Sequence, residues 1–514
     1  MIIQRLVVGL AILALAPTPA STAWREAKTK HFIIYSEQSP AKLRAFASEL
    51  EQFDRGVRLV GGRGTDDPPL TDSGRLTIYV LPNRDDVARL AKGAPSGVAG
   101  FYTSRASGSL AFVHSERENP KTPDRLTAKT VFFHEYHHHL MLQSLNLALP
   151  LWVTEGAAEF FATARVERDG SMTFGAPPQH RAYGLFQLDA LTIEEMVGAT
   201  NEKLTGDERE QTYARGWQLV HMLTFDKRRK GQLAAYSAHL QKGMSALDAA
   251  RAAFGDLRAL DRDLENYRTF AGISVSKGAF SESEVAVREL SPAESAILPI
   301  VMQSEYGVDD ALAKRVLADA RKVAARFPND VAVLAALAEA EQDAGNDKLA
   351  VEASDRVLAA QPNHSKALIM KARALLSMAK ADRAKADWDG IRAVIGKANK
   401  IDPDDAEPLM MFYQSYQAQG IPATRNAVEG LLYAQQLVPR DRNLRMMAVR
   451  QMIASNKLKE AEQLFGPMAY DPHIGGETRD AMLKVMAALK AGSGKQAVGL
   501  LDAETKKAES KPKS

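Results

Sequence analysis

Two short runs in this chain carry side chains able to do metal chemistry. Residues 134 to 138 read His-Glu-Tyr-His-His, and a little further on comes Trp152-Val153-Thr154-Glu155-Gly156-Ala157-Ala158-Glu159. On an α-helix, positions four apart differ by about 40° of rotation, so His134 and His138 project from one face and can converge on one ion. Glu135 sits about 100° round the helix, beside such an ion rather than on it. A catalytic zinc site takes three protein ligands and keeps one position open for water, so a third ligand must come from elsewhere. Glu155 is the candidate. Glu155 and Glu159 stand at i and i+4 and share a helix face, so one can ligate while the other supports; Glu159 is spaced to accept from His134, and Glu159 as the ligand is the alternative. His134 and His137 are also helical neighbours, but only the His134/His138 frame places an acid next to the first ligand. His137 and His139 are therefore assigned to the surface or to support around the ligands. Two neutral imidazoles and one carboxylate leave zinc with net positive charge, which lowers the pKa of bound water toward about 7. Glu135 is then placed to take that water's proton.

The motif His134-Glu135-x-x-His138 followed by Trp-x-x-Glu-Gly-x-Ala-Glu resembles the gluzincin metallopeptidases, and in particular the peptidase MA-like group. The resemblance implies zinc held by His134, His138 and Glu155, with Glu135 as general base and Glu159 supporting the ligands. Tyr213-Ala214-Arg215-Gly216-Trp217-Gln218-Leu219-Val220 is similar to the helix that follows the active site in that group, which makes Tyr213 the phenol to test as an oxyanion donor. An ordinary half-buried Tyr at a helix start is the competing account of it. His180, Arg181 and Tyr183, on a Pro-rich loop after Gly175-Ala176-Pro177-Pro178, stand where they could line the cleft.

Composition sets the frame around these motifs. The 514 residues are 45% hydrophobic and 25% charged, ordinary globular values that exclude wholesale disorder and a polytopic membrane protein. A net charge of +3, with no basic stripe interleaved with aromatics, excludes nucleic acid as the main ligand. Residues 1–23 read as a signal peptide, with a positive start at Met1 to Arg5, an apolar run from Leu6 to Ala16 and small residues Ser21-Thr22-Ala23 before Trp24; an uncleaved anchor is the alternative. With no cysteine there is no lipid-modified Cys, no disulfide framework and no Cys-ligated zinc. The expectation is an exported, periplasmic protein with no membrane span after cleavage.

The elements that must position the motifs follow from local pattern. Strands are expected at His31 to Ser36, Leu76 to Leu81, Gly97 to Tyr102 and Ser109 to His114; the zincin resemblance implies that the last is the edge strand that pairs with extended substrate, with an ordinary buried hairpin as the equal alternative. A helix opens at Ser39-Pro40 and runs to about Val60. Pro123-Asp124-Arg125 leads into the motif helix at 125–145, and the second motif forms a helix at 152–165, with Gly156 and Ala157 suited to close approach between the two. Helices at about 231–242, 244–254 and 256–269 complete an α+β zincin-like domain over 24–270, followed by a polar linker at 271–290.

From Ser291-Pro292-Ala293-Glu294, an N-cap with Pro at the first helical position and Glu three residues after the cap, a helical array begins. Helix-ending prolines recur at 328, 362, 403, 439 and 472, in steps of 34, 41, 36 and 33. This spacing resembles that of tetratricopeptide (TPR) repeats over 291–503, with an insertion near 386–399, and implies an all-α solenoid that binds a protein partner or substrate. Residues 504–514, rich in Lys, Glu and Ser, are expected to be disordered. Two functions follow as expectations: an exported zinc peptidase acting on peptides or proteins and carrying a TPR module, or a non-catalytic cell-envelope assembly protein with a degenerate zincin domain.

Overall fold

The computed structural model describes residues 23–65, 68, 70–90, 100–115, 126–143, 149–199, 204–269, 271–278, 285–471, 474 and 476–510. The signal segment up to residue 22, the lead-in at 123–125 and residues 511–514 lie outside the described residues. Among those described, no helix is long and apolar enough to cross a membrane.

The N-terminal half is built on β1 (Arg25–Lys28), β2 (Phe32–Ser36), α1 (Pro40–Val60), β3 (Leu76–Leu81), α2 (Arg84–Leu90), β4 (Gly100–Arg105), β5 (Gly108–His114), α3 (Ala128–Gln143) and α4 (Leu151–Ala162). Then come β6 (Arg165–Val166), β7 (Met172–Phe174), α5 (Ala182–Phe186), α6 (Ile193–Gly198), α7 (Gly206–Phe225), α8 (Gln232–Gln241), α9 (Ala246–Phe254), α10 (Leu257–Glu265), β8 (Ile273–Val275) and β9 (Ala286–Glu289). Six strands form a mixed sheet in the order β4-β5-β3-β2-β1-β9, in which β2, β3 and β5 run parallel and the other pairs antiparallel.

Two expectations change here. Among the described residues β5 lies inside the sheet, whose edges are β4 and β9, so the edge strand on this side is the one before the turn at Ala106 and Ser107. Two stretches of the expected linker at 271–290 are strands: β8 pairs with β7, and β9 joins the main sheet beside β1. Arg25 reaches Glu289 and Arg288 reaches Glu26 across that last pairing. A polar strand of this kind carries no hydrophobic signature; its cross-strand ion pairs and backbone ladder become visible only once β1 is beside it.

Alternation along β3 sorts the core. Leu76, Ile78 and Val80 face the helices together with Phe32, Ile34, Ala111 and Val113, and Phe53 of α1 stacks on Phe133 of α3 with centroids 3.8 Å apart. Tyr79, Leu81, Leu110 and Phe112 face the other way, against Leu298 and Met302 of the first repeat helix. Both faces of the sheet are therefore covered, one by α1 and α3 and the other by the repeats.

The repeat half consists of α11 (Pro292–Tyr306), α12 (Asp310–Arg326), α13 (Val331–Asp343), α14 (Asp347–Ala360), α15 (Ser365–Ala381), α16 (Trp388–Ile401), α17 (Ala406–Gln419), α18 (Arg425–Leu437), α19 (Arg442–Ala454), α20 (Leu458–Ala469), α21 (Gly476–Lys490) and α22 (Gly494–Ser510). Ser291 caps α11 in the expected capping box. Pro328, Pro362, Pro403 and Pro439 stand in the turns between pairs, and Ala350 and Ala461 are fully buried at helix contacts. The segment 386–399 is no insertion: it is mostly α16, and the extra length goes into the long α15 and the turn before Trp388. The tail is helical through Ser510, because α22 packs on α21 through Ala497 and Leu501 and carries the helix beyond residue 503.

The two halves meet at more than the sheet face. Tyr79 Oη donates to Glu305 Oε2 at 2.6 Å and Ser73 Oγ to Asp402 Oδ2 at 2.7 Å. The turn of the β4–β5 hairpin enters the repeats, where Ala106 packs with Ala406, Tyr413, Leu431, Leu444 and Ala448 and its N–H donates to Asp441 Oδ2 at 2.8 Å.

Candidate metal centre

Helix α3 is held on three sides, and each side has its own chemistry. Its apolar face carries Phe132, Phe133, Tyr136 and Leu140 into the core. There Tyr136 Oη donates to Asp54 Oδ1 at 2.8 Å, Arg58 Nε donates to Asp54 Oδ2 at 2.7 Å, and His31 Nδ1 lies 2.7 Å from Glu51 Oε2. Burial alone would lower the His31 pKa, but Glu51 and Asp54 raise it above its ordinary value. This network seats the back of α3 on α1.

The second side of α3 faces α4 and carries His134 and His138. Their Nε2 atoms are 3.1 Å apart, and His134 Nε2 lies 3.1 Å from Glu155 Oε2 while His138 Nε2 lies 3.5 Å from Glu155 Oε1. Ligand atoms of these three residues fall within 4.8 Å of one another, and among the described residues no other His, Asp or Glu group gathers in this way. Four tetrahedral ligands at zinc distances stand about 3.3 Å apart, so the spacing and the donor types both fit a zinc ion. The geometry also chooses between the two glutamates. Glu155 faces both imidazole Nε2 atoms, whereas Glu159 lies 3.5 Å from His134 Nδ1 on the far side of that ring.

Glu159 has further partners that spacing in the sequence does not indicate. His180 Nε2 is 2.8 Å from its Oε2, and Arg181 donates to its Oε1 through Nε at 3.0 Å and Nη2 at 2.8 Å. Arg181 Nη1 in turn donates to Glu210 Oε2 at 2.6 Å. Burial works to raise the Glu159 pKa, yet bonds to His134 and His180 and the charge of Arg181 hold it far below the usual carboxylate range. Burial likewise opposes charge on His134, and Glu155 and Glu159 outweigh it, so its pKa is pushed up to about 10. Tyr183 is exposed and takes no part. The only sequence signal for His180 and Arg181 was a polar pair placed after consecutive prolines.

Helix α7 brings Tyr213. Thr205 starts it with a capping box, and its approach to α4 is set by two glycines: a Cβ on Gly156 would stand 2.4 Å from the Gly216 carbonyl. The close approach foreseen for Gly156 is thus made with α7 rather than with α3. Its consequence is that Tyr213, one turn before Gly216, lies parallel to the His134 ring at 6.2 Å, with the Arg181 guanidinium 4.7 Å from its own centroid. Burial keeps the phenol protonated, and the nearby Glu155 carboxylate adds to that effect.

The third side of α3 faces the edge strand. Glu135 and His139 are one turn apart there; Glu135 is half-buried, makes no hydrogen bond to a described residue, and lines with Tyr102 a small cavity between β4 and α3. His139 Nδ1 shares a hydrogen bond with Tyr102 Oη, and burial pushes its imidazole down to about 3. His137 stacks on Phe161 with centroids 4.5 Å apart, and neither of its ring nitrogens has a hydrogen-bond partner among the described residues. Both are buried rather than on the surface. Sequence spacing cannot show this, because α4 and β4 that cover them come from elsewhere in the chain.

Fold and site together define a mixed-sheet domain with a His-His-Glu group able to hold a metal ion, joined to an array of helical hairpins. No family model and no curated protein matches the sequence. Among solved structures, the chain is similar to a thermophilic TPR protein from Thermus thermophilus, at 16% identity, covering 38% of this chain and 94% of that one, with a TM-score of 0.29. At that score the likeness adds nothing to what the helix pairs of this chain already show.

Proposed function

We propose that this protein is an exported zinc-dependent peptidase of the gluzincin type whose repeat half contributes a surface for protein partners or substrate. One observation carries the reading. Three ligand atoms, His134 Nε2, His138 Nε2 and a Glu155 oxygen, converge at a largely buried point, and a second carboxylate, Glu135, with no hydrogen-bond partner among the described residues, stands on the adjoining face of the same helix. Acceptors brought this close repel unless a proton or cation lies among them, and a structural ion needs no free acid beside it.

When bound, zinc would supply Lewis acidity to water and to the scissile carbonyl. Glu135 takes a proton from the attacking water and passes it to the leaving amine. Tyr213, held protonated, donates its Oη–H to the developing oxyanion. Glu159 accepts from His134 Nδ1 and so fixes which nitrogen of that ring faces the ion, while His180 and Arg181 hold Glu159 in place. Export is supported by the N-terminal pattern, and partner binding by the extended surface that stacked helix pairs present.

Metal content tests the reading directly. After dialysis against trace zinc, the wild type should hold about one zinc per chain, His138→Ala none and Glu135→Gln as much as wild type. A folded wild type without bound metal would sink the peptidase and leave a repeat protein with a structural N-terminal domain.

A further inference from the structure

Tyr102 sits at the junction of three elements. It belongs to β4, which as one edge of the sheet has a strand neighbour on one side only among the described residues. Its hydroxyl bonds His139 Nδ1 and donates to Ser109 Oγ at 3.4 Å. Its ring is approached by the guanidinium of Arg440, 5.4 Å from the centroid, from the turn between α18 and α19. Arg440 Nη1 is buried with no hydrogen-bond partner among the described residues, and the ring face is the contact that receives its charge. Beside it, Asp441 accepts the Ala106 N–H with Oδ2 and caps α19 by accepting from Leu444 N with Oδ1. An edge strand frays unless something beyond its single ladder holds it. Here the repeats hold both the hairpin turn and the tyrosine.

Resting on the metal reading above, we infer that the α18–α19 turn is a positioning element of the metal centre, acting through Tyr102 and His139 on the helix that carries His138. His139 follows His138 directly, so the bond to Tyr102 limits rotation of the last turns of α3. The Tyr136 network and Glu155 limit it from the other two sides. Release of the hairpin removes one of three restraints on a ligand that must sit within a few tenths of an ångström. The repeat half is thus part of the site's architecture as well as a surface beside it.

Full-length protein tests this with four variants. Tyr102→Phe removes the hydroxyl and keeps the ring. Asp441→Asn keeps the cap acceptor and turns the acceptor facing Ala106 into a donor. Arg440→Gln removes the cation, and Arg440→Lys restores it. Zinc release to a chromophoric chelator should be about 10-fold faster in Tyr102→Phe, Asp441→Asn and Arg440→Gln, and close to wild type in Arg440→Lys. Amide exchange over 100–106 should quicken about 10-fold in Asp441→Asn, with 331–419 unchanged, which separates a loosened hairpin from unfolded repeats. Zinc release at the wild-type rate in both Tyr102→Phe and Asp441→Asn overturns the inference. Unchanged exchange at 100–106 overturns the brace alone. A wild type that binds no zinc instead overturns the metal reading, and the link to it falls too, while the exchange measurement still decides whether the repeats hold the hairpin.

Discussion

Buried charge is handled in two ways in this molecule. Between α3 and α4, two imidazoles and Glu155 converge with no lysine or arginine among them, and Arg181 is spent one layer out, on Glu159. Between α11, α13, α15 and α17, Glu305 and Glu339 meet Lys366 at 3.2 and 3.1 Å, and Glu407 meets Arg373. The acids left over there hold their protons more tightly than usual: burial and neighbouring carboxylates push Asp343 up to about 6 and Asp405 up to about 7. A cluster whose acids are matched by lysine and arginine has no room for an added cation, while two imidazoles facing one carboxylate form a group that could hold a metal ion. The difference separates a site from a structural network without reference to any relative.

The sharpest way to break that contrast is to disturb one acid or base on each side. Glu135→Gln should lower kcat on a peptide substrate by about 10²- to 10⁴-fold at unchanged zinc content. Lys366→Met, which unpairs Glu305 and Glu339, should lower stability in urea by about 1–3 kcal/mol, discounted for the partial exposure of the lysine, and leave kcat within about twofold. Equal losses of activity in the two would erase the distinction.

A pH series probes the self-neutralised cluster. An acid whose folded pKa is raised above its unfolded value near 3.9 contributes stability that is full below that value and lost as pH rises through the folded pKa, here about 7. Asp405→Asn keeps the cap to Glu407 N and cannot ionise. Between about pH 4 and 7, wild type should therefore lose up to about 4 kcal/mol of unfolding free energy relative to Asp405→Asn. Parallel stability curves would show that Asp405 ionises normally.

Smaller effects sharpen the metal side. Gly156→Ala places a methyl against the Gly216 carbonyl and should cost about 2–3 kcal/mol by urea denaturation with an unchanged slope. A neutral result would mean that α4 and α7 are free to separate. Glu159→Gln should weaken zinc binding by about 10- to 100-fold in chelator competition, since His134 then loses the charge that orients it. Unchanged affinity would leave Glu159 as an anchor for Arg181 and nothing more.

What local spacing could specify, the sequence determined by itself. The i, i+4 pairs His134/His138 and Glu155/Glu159, the alternation of Leu76, Ile78 and Val80, the capping box at Ser291 and the proline period of the repeats depend only on helix and strand geometry. Tertiary structure decided that Glu155 faces the two histidines with Glu159 behind His134, that β4 rather than β5 is an edge of the main sheet, and that two stretches expected in a linker each join a sheet. It also brought Arg181, Tyr102 and the turn at Arg440 and Asp441 to the surroundings of α3. The reason is the same in each case: these are contacts between segments far apart in the chain, made by single polar residues that carry no periodic signal. Their partners are chosen by which backbone comes to lie alongside, and no local propensity encodes that.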